Sequence, residues 1–503
     1  MDLFLGIDAG TTALKVAIFD LEGRLLALDR QEYQLLTPAP AWVELDAEVY
    51  WLALCKAVRN AIRSSGRGAE SVRALAISSQ GETLIPLDRD GRPTRRAIVW
   101  LDNRAVREAA WLGQQFDVEE VYRVTGQPEI APGWPACKIL WLKRNEPEAF
   151  KRTAHFLLLE DYLLYRLAGH LVTELALQTS SLLLDIQRKA WWEPMLDAIG
   201  LLPGRLGHLM EPGERVGPLS SEGAQALGLT TRTLAVTGAM DQAAGAVGAG
   251  NIAPGLATES TGGALAILAT LAEPRYDPKR RVPCHYHALP DAYCLLPWGQ
   301  TAGMALRWFR DQFFDLETRA AREHGFDAYD LMADAATRVP AGSQGLTVLP
   351  HLEGAACPEF NPAARAVFYG ATLRHTKAHF VRAIMESVAY MLKANLDIVE
   401  ELGLPVAEVR CMGGGARSPL WLQIKADVLQ KPVIPVAVED AACLGAALMA
   451  ATATGGFASL QEGVEQMVRL GDTVEPDPRR AEVYREGYGQ YLELYQRLAP
   501  MFR

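Results

Sequence analysis

A glycine-containing hairpin is predicted at the start of the chain. An apolar run at residues 4–7 is followed by Asp8, by Gly10-Thr11-Thr12, and by a second, alternating apolar run at residues 14–19. Two such runs around a short polar turn indicate a β-hairpin. The turn carries backbone N–H groups, two hydroxyls and one carboxylate, the groups that bind phosphates and a hard cation. A plain hairpin turn with incidental polar residues is the alternative interpretation.

Composition narrows the class of protein. The 503 residues favour two or more domains, and 49% hydrophobic with 22% charged residues is typical of a soluble globular protein. The net charge of −10 comes with no basic stripe, which argues against nucleic acid as a partner. Seven scattered cysteines without a C-x-x-C pair indicate reduced thiols rather than disulfides or a zinc site.

Targeting and membrane signals are not evident in the sequence. The first residues lack the basic and apolar regions of a signal peptide. No stretch of about 18 uncharged apolar residues is present, as a membrane span would need. We therefore expect a cytoplasmic protein with no membrane partner.

Strand and helix patterns alternate along the whole chain, which predicts an α/β architecture. A strand at 234–237 leads through Gly238 to Asp241 and a helix rich in small residues. A second pair of strands, at 256–268, is broken at Ser260-Thr261-Gly262-Gly263 and resembles the opening hairpin in layout. This layout predicts two related halves, with a boundary near residue 250.

Four polar breaks between apolar elements are the candidate ligand-binding segments. They are Asp8 with the Gly10-Thr11-Thr12 turn, Asp241, Thr261-Gly262-Gly263, and Gly413-Gly414-Gly415. Glycines let a ligand approach the backbone, and a helix N-terminus favours phosphate. Each glycine cluster alone is better explained as a tight turn. Four together, two of them with carboxylates, favour a phosphate-binding site.

Longer segments resemble motifs of one enzyme family, the FGGY carbohydrate kinases, over nearly the full chain. The segments are Trp42-Val43-Glu44-Leu45-Asp46 with Trp51, residues 133–141, Phe368-Tyr369-Gly370, residues 379–386, residues 413–418, Trp421-Leu422-Gln423 with Ala426-Asp427, and Glu439 with residues 444–447. Two positions depart from the usual pattern. Ala371 replaces a larger aliphatic residue, and Met240 stands where many members carry histidine.

The resemblance implies a fold and a separate role for each of two domains. The fold is α/β, with two actin-like (ribonuclease H-like) ATPase domains flanking a catalytic cleft. Residues 1–250 would hold the sugar site, the first phosphate loop and the catalytic base, and residues 251–503 would bind the nucleotide. ATP and Mg²⁺ would be the cofactors and a small sugar or polyol the substrate, while a homodimer is left open.

The resemblance also implies roles for individual residues. Asp241 would be the general base that takes the proton of the attacking hydroxyl. Asp8 would hold Mg²⁺. The ATP-binding residues would be Thr11 and Thr12 at the β- and γ-phosphates, Thr261 and Gly262 in a second phosphate loop, Gly414 and Gly415 on the α-phosphate and adenosine side, and Ser418 beside them.

The predicted substrate ligands are Gln80, Gly81, Glu82, Trp100, Asp102, Asp241 and Gln242. Carboxylates and amides suit sugar hydroxyls, and an aromatic face suits sugar C–H surfaces. For Asp102 the alternative is a helix-cap acid in a surface ion pair with Arg104.

The segment Gln80-Gly81-Glu82-Thr83 resembles the Q-R-E-T of glycerol kinases more than the Q-M-H-G of xylulokinases. However, Gly81 replaces an arginine and Gly133 a tyrosine of glycerol kinases. We therefore expect a roomier pocket, with Trp134 as an apolar wall. A ketopentose such as xylulose is the preferred substrate, and a polyol of the glycerol or erythritol type is the alternative.

Two other functions remain as alternatives. An actin- or Hsp70-like ATPase shares the phosphate hairpin, but no β-rich peptide-binding segment follows. A non-catalytic sugar sensor would not need both Asp8 and Asp241.

Overall fold

Two mixed β-sheets form the centres of two α/β domains, as the sequence predicts. The computed structural model describes residues 2–438 and 440–502, so the motif position Glu439 lies outside the described residues. The first sheet has six strands, in the order Arg215–Pro218, Leu234–Met240, Val72–Ser79, Leu3–Ala9, Ala13–Phe19 and Leu25–Glu32. The predicted hairpin is present, with Phe4 opposite Phe19 across an antiparallel pair.

The second sheet repeats the centre of the first. Its order is Cys284–Tyr286, Tyr293–Leu295, Leu265–Leu271, Leu256–Thr261, Glu408–Met412 and Val433–Pro435, with Trp298–Gly299 also paired to Leu265–Leu271. In both sheets an antiparallel hairpin is followed by a parallel neighbour of its first strand. The predicted relation between the two halves is therefore visible in the sheets.

Short strands form smaller sheets around these two. A four-stranded sheet has the order Glu44–Leu45, Ala97–Ile98, Leu84–Leu87 and His155–Leu158. The two-stranded pairs are Val172–Glu174 with His208–Met210, Leu184–Asp185 with Ala190–Trp191, and Thr347–Leu349 with Val367–Tyr369.

Helices cover the sheets. Those before residue 250 are Ala47–Ser65, Val106–Gln115, Val118–Thr125, Pro135–Asn145, Pro147–Arg152, Leu159–Ala168, Leu175–Gln178, Glu193–Ile199, Ser221–Leu227 and Asp241–Gly248. Those after it are Gly303–Phe313, Asp315–His324, Ala328–Thr337, Lys377–Glu401, Pro419–Leu429, Ala441–Ala453, Leu460–Met467 and Ala481–Leu498.

Local chemistry sets the ends of the first helix. The side chain of Asp46 accepts a hydrogen bond from the backbone N–H of Glu48 and so caps the helix. Gly66 ends the helix in the left-handed conformation, at φ 65°, which glycine adopts without steric cost.

The helices Asp241–Gly248 and Ala441–Ala453 pack against each other at a very short backbone distance. A Cβ atom added to Gly248 would overlap the carbonyl oxygen of Ala441, and one added to Gly445 would overlap that of Ala244. The small residues of both helices are therefore required by packing. The helix Ala441–Ala453 also packs on strand Leu3–Ala9, so the second half of the chain supports the sheet that carries Asp8.

All seven cysteines are free and buried, as expected for reduced thiols. Across residues 2–438 and 440–502, we find no helix with the length and apolar character that crossing a membrane requires.

Candidate active site

Three carboxylates meet at one edge of the first sheet. Strands Leu3–Ala9, Val72–Ser79 and Leu234–Met240 run parallel, so their carboxyl ends lie side by side. Asp8 lies near the end of the first strand, Glu82 follows the second, and Asp241 follows the third and begins a helix. The sheet therefore brings together the predicted metal ligand, a predicted substrate ligand and the predicted base.

Asp241 has the electrostatics of a general base. Its carboxyl group is surrounded by protein but keeps partial access to solvent. Burial raises its pKa to about 7, with further increases from the charges of Asp8 and Glu82. The backbone N–H of Gln242 donates to Oδ1 at 2.7 Å and opposes this rise, as does Lys15. A pKa near 7 lets the group hold and release a proton at physiological pH.

Lys15 partly neutralises the carboxylates and was not found from the sequence. Its Nζ lies 3.6 Å from Oδ2 of Asp8 and also donates to Asp440, from the second half of the chain. Burial raises the pKa of Asp8, and Lys15 opposes this shift. A lysine in an alternating strand gives no motif signal, since it is indistinguishable from an outward-facing surface residue.

The carboxylates at this edge of the sheet supply only part of the ligands that the predicted Mg²⁺ needs. Within residues 2–438 and 440–502, no group of three or more His, Cys, Asp or Glu side chains has the arrangement of a metal site. Mg²⁺ in phosphotransfer sites is usually bound by one or two carboxylates plus substrate phosphates. Asp8, whose charge interacts with that of Asp241, is the predicted metal ligand and would make such a minimal protein contribution.

Glu82 lies in a strained turn that a buried lysine holds. Its φ is 53°, a left-handed conformation that is uncommon outside glycine. Nζ of Lys138 donates to the carbonyl oxygens of Glu82 at 2.9 Å and Val99 at 3.0 Å. Burial lowers the pKa of Lys138 to about 8, against the opposing charges of Glu82 and Asp102. Lys138 belongs to the motif segment at residues 133–141, and its role in holding the turn is visible only from these contacts.

Trp100 and Gln80 lie beside this turn. The indole Nε1 of Trp100 donates to Oγ1 of Thr11 at 2.8 Å, and the residue is 38% exposed. Gln80 is buried, and its Nε2 donates to the hydroxyl of Tyr50 at 3.3 Å. Trp100 can therefore present an apolar face to a ligand. Gln80 is buried and directed to Tyr50, which favours a role in stabilising the turn.

Asp102 lies in an internal network. Oδ1 accepts from the backbone N–H and from Nε of Arg104, and Oδ2 accepts from Nη2 of Arg104 and the backbone N–H of Val43. The guanidinium lies 3.8 Å from the ring centroid of Trp42. The pair is buried rather than on the surface, contrary to the simpler alternative. This geometry favours a bracing role, and a substrate contact by Asp102 stays a prediction.

The two glycines of the expected roomier pocket differ in their surroundings. A Cβ atom on Gly81 would lie 3.0 Å from Oγ of Ser180 and 3.6 Å from Sδ of Met240. One on Gly133 would lie 3.4 Å from the carbonyl oxygen of Trp100. Ser180 and Met240 therefore occupy part of the space that a side chain at position 81 would take.

A cavity of about 340 Å³ lies in the second domain. Five of the predicted ATP ligands line it: Thr261, Gly262, Gly414, Gly415 and Ser418. Met304, Arg307, Asp327, Tyr329 and Trp421 complete much of the wall. Thr11 and Thr12 lie elsewhere, at the turn of the first-domain hairpin.

The backbone around this cavity requires glycine. Gly413 has φ 72°, and a Cβ atom on Gly415 would lie only 2.6 Å from Cβ of Thr261. Ser418 caps the helix Pro419–Leu429, because its side chain accepts from the backbone N–H of Trp421 at 3.3 Å. The two glycine-containing loops therefore meet at the N-terminus of helix Pro419–Leu429, an arrangement suited to binding phosphate.

Comparisons with known proteins agree with this geometry. Residues 3–248 match the model of the N-terminal domain of the FGGY family of carbohydrate kinases, and residues 264–454 match that of its C-terminal domain. Xylulose kinase from Escherichia coli (strain K12) is 31% identical over 99% of this chain and 100% of its own length. Autoinducer-2 kinase from the same strain is 30% identical over 98% and 94%.

The fold is also similar to that of solved kinases. The crystal structure of ligand-bound xylulose kinase from Lactobacillus acidophilus superposes with a TM-score of 0.91 at 25% identity, covering 100% of this chain and 99% of that one. The two matching domain models and the relatives together establish the fold and the class of enzyme. The chain belongs to the FGGY family of carbohydrate kinases, two-domain α/β phosphotransferases of actin-like fold that act on a sugar hydroxyl.

Proposed function

We propose that this protein phosphorylates a ketopentose such as xylulose at the expense of ATP, with Asp241 as the general base. One observation carries the proposal. Asp241 lies at the carboxylate edge of the first sheet, and its pKa is raised to about 7 by burial and by Asp8. A base with this pKa can accept the proton of a sugar hydroxyl at neutral pH and lose it afterwards.

Each part of the cleft has a physical role in this proposal. Phosphoryl transfer depends mainly on positioning and on stabilising charge. Asp241 would orient the attacking hydroxyl and accept its proton, and Gln242 would contact the substrate beside it. Thr11 and Thr12 would donate to the β- and γ-phosphates from the first-domain hairpin. The Thr261–Gly262 turn would line the phosphate site from the second domain, while the Thr261 hydroxyl itself donates to Glu259.

The adenosine part of ATP would occupy the cavity lined by Gly414, Gly415 and Ser418. The size of this cavity and its glycine loops support this placement. Asp8 would hold Mg²⁺, which when bound neutralises charge on the phosphate oxygens. Lys15 bridges Asp8 and Asp440, residues from the two halves of the chain. It would keep the hairpin in place as the cleft closes around the substrates and excludes water.

The relatives support a small hydroxylated substrate. The relatives include kinases named for xylulose and for autoinducer-2 at nearly equal identity, so they do not single out one compound. The ketopentose is preferred because Gly81 and Gly133 leave out two bulky side chains of the glycerol-kinase pattern, although Ser180 and Met240 occupy part of the space beside Gly81. Glu82 favours the second candidate, a polyol of the glycerol or erythritol type, because it matches that pattern.

We also propose a domain boundary near residue 250 and a cytoplasmic location. The gap between the two family matches, at residues 249–263, supports the first. Free buried cysteines support the second, since the cytosol keeps thiols reduced.

A screen of sugar-dependent ADP release tests the substrate. The panel should contain xylulose and other ketopentoses, tetritols, pentitols and glycerol, with the phosphorylated product identified by ³¹P and ¹³C NMR. We expect the highest kcat/KM for a ketopentose. A clear preference for glycerol or a tetritol would establish the polyol alternative and rule out the ketopentose.

A further inference from the structure

A buried lysine lies directly behind the wall of the nucleotide cavity. Lys425, on helix Pro419–Leu429, has no exposed side-chain surface, and neither has Glu259. Nζ of Lys425 donates to Oε1 of Glu259 at 2.5 Å and to Oγ1 of Thr261 at 3.0 Å. The hydroxyl of Thr261 donates in turn to Oε2 of Glu259 at 2.7 Å. The three side chains therefore form a closed ring of hydrogen bonds, the Lys425 triad.

The triad touches both glycine loops of the cavity. Thr261 belongs to the first loop, and Gly415 belongs to the second. A Cβ atom on Gly415 would meet Cβ of Thr261 and, at 3.2 Å, Nζ of Lys425. Nζ also lies 5.3 Å from the ring centroid of Trp421, which lines the cavity. The ammonium group is thus placed where the two loops meet.

Stability alone is a weak reason for such an arrangement. Burying two charges costs desolvation energy, and well-packed apolar pairs often replace buried ion pairs without loss of stability. The ammonium end of the pair, however, lies beside Gly415, so the pair presents its positive end to an anion bound at the loops. The triad also fixes the orientation of the Thr261 hydroxyl, because that oxygen both donates to Glu259 and accepts from Lys425.

We propose that Lys425, held in place by Glu259, is a positioning residue for the phosphate groups of the nucleotide. It joins the Thr261–Gly263 loop to the Gly413–Gly415 loop and places the positive end of a buried ion pair beneath them. The inference rests on the proposed function in one respect, namely that this cavity binds the nucleotide. Neither Lys425 nor Glu259 belongs to the predicted ATP-binding residues.

The test separates phosphate binding from general structure. The variants are Lys425→Met, Glu259→Gln and the double variant Lys425→Met/Glu259→Leu, which removes both charges at once. Arg480→Met is the matched control, since Arg480 pairs with Asp427 of the same helix and lies outside the cavity wall. Calorimetry on each full-length protein would measure dissociation constants for adenosine, ADP and ATP, without turnover.

We expect Lys425→Met and the double variant to weaken ATP and ADP binding by about tenfold or more, as loss of a charge-assisted contact implies. In these two variants the dissociation constant for adenosine should change less than about twofold, because adenosine lacks the phosphates. Arg480→Met should leave all three dissociation constants unchanged. Glu259→Gln removes the opposing charge but keeps an acceptor for Lys425, so it should lose less ATP and ADP affinity than Lys425→Met does. If Lys425→Met does not fold, the double variant decides.

A double variant that binds ATP, ADP and adenosine in the wild-type ratio would overturn the proposal and leave the triad a structural ion pair. Failure of the proposed function has a different signature. In that case the wild-type protein itself would bind neither ATP nor ADP, whatever stands at position 425.

Discussion

The indole Nε1 of Trp100 donates a hydrogen bond to Oγ1 of Thr11 at 2.8 Å, across 89 residues of sequence. The backbone N–H of Trp100 also donates to Oγ1 of Thr83, next to Glu82. Trp100 therefore connects the turn on the sugar side with the hairpin on the phosphate side. A side chain expected only to cover the sugar also orders a hydroxyl expected to bind phosphate.

Replacing this indole should reduce catalysis through Thr11. We expect Trp100→Phe and Thr11→Val each to lower kcat/KM by about threefold to tenfold, since a neutral hydrogen bond contributes roughly 1 kcal/mol. If the bond matters, the double variant should lose less than the sum of the two single losses. Trp111→Phe, which changes a tryptophan packed against Arg144, is the matched control. Additive losses would show that the two residues act independently.

The raised pKa of Asp241 should control the pH profile. Only the ionised carboxylate can accept the proton, and its pKa is about 7. We expect kcat/KM to rise about tenfold per pH unit below pH 7 and to level off above it. The profile should be measured with a slow substrate, so that chemistry limits the rate. A flat profile from pH 5.5 to 8 under that condition would contradict the assignment.

The same carboxylate should reduce stability at high pH. Its folded-state pKa of about 7 exceeds its unfolded value of about 4, so stability is lost as pH rises between these values. Asp241→Asn should therefore stabilise the fold at pH 8, by on the order of 2–4 kcal/mol, and by little near pH 4.5. Thermal unfolding at both pH values measures this difference. An equal change in Tm at the two pH values would contradict the linkage.

Lys138 should matter for the sugar and not for the nucleotide. Lys138→Met leaves the carbonyl oxygens of Glu82 and Val99 without their buried donor, and the strained turn at Glu82 should relax. We expect KM for the sugar to rise about tenfold while adenosine binding is unchanged. Lys143→Met is the matched control, because Lys143 lies on the same helix and donates to the carbonyl oxygen of Ile199. Equal effects of the two substitutions would indicate a loss of helix stability only.

Local patterns predicted the elements well, for physical reasons. Apolar runs on both sides of a short polar turn define the opening hairpin, and Ser418 with the proline after it marks the start of the observed helix Pro419–Leu429. The strand at 234–237 continues to Met240, three residues further than predicted. Small residues and a bulge at Gly238 obscured its period.

Contacts between distant side chains could not be predicted in the same way. Lys15 and Asp440 are 425 residues apart, and Lys425 and Glu259 are 166 apart. Each of these residues alone has the pattern of an ordinary charged surface residue. Asp102 shows the opposite problem, since a carboxylate after a strand suggests a ligand, but Arg104 and the backbone of Val43 use both of its oxygens.

The most direct test of the account compares two quantities in wild-type protein and Asp241→Asn: sugar-dependent ADP release and the dissociation constant for ATP. Wild-type protein should release ADP only when a suitable sugar is present. Asp241→Asn should lose about a hundredfold or more of kcat, as removal of a general base implies, and should bind ATP as wild-type does. Near-normal kcat in Asp241→Asn would contradict the central claim that Asp241 is the base of this sugar kinase.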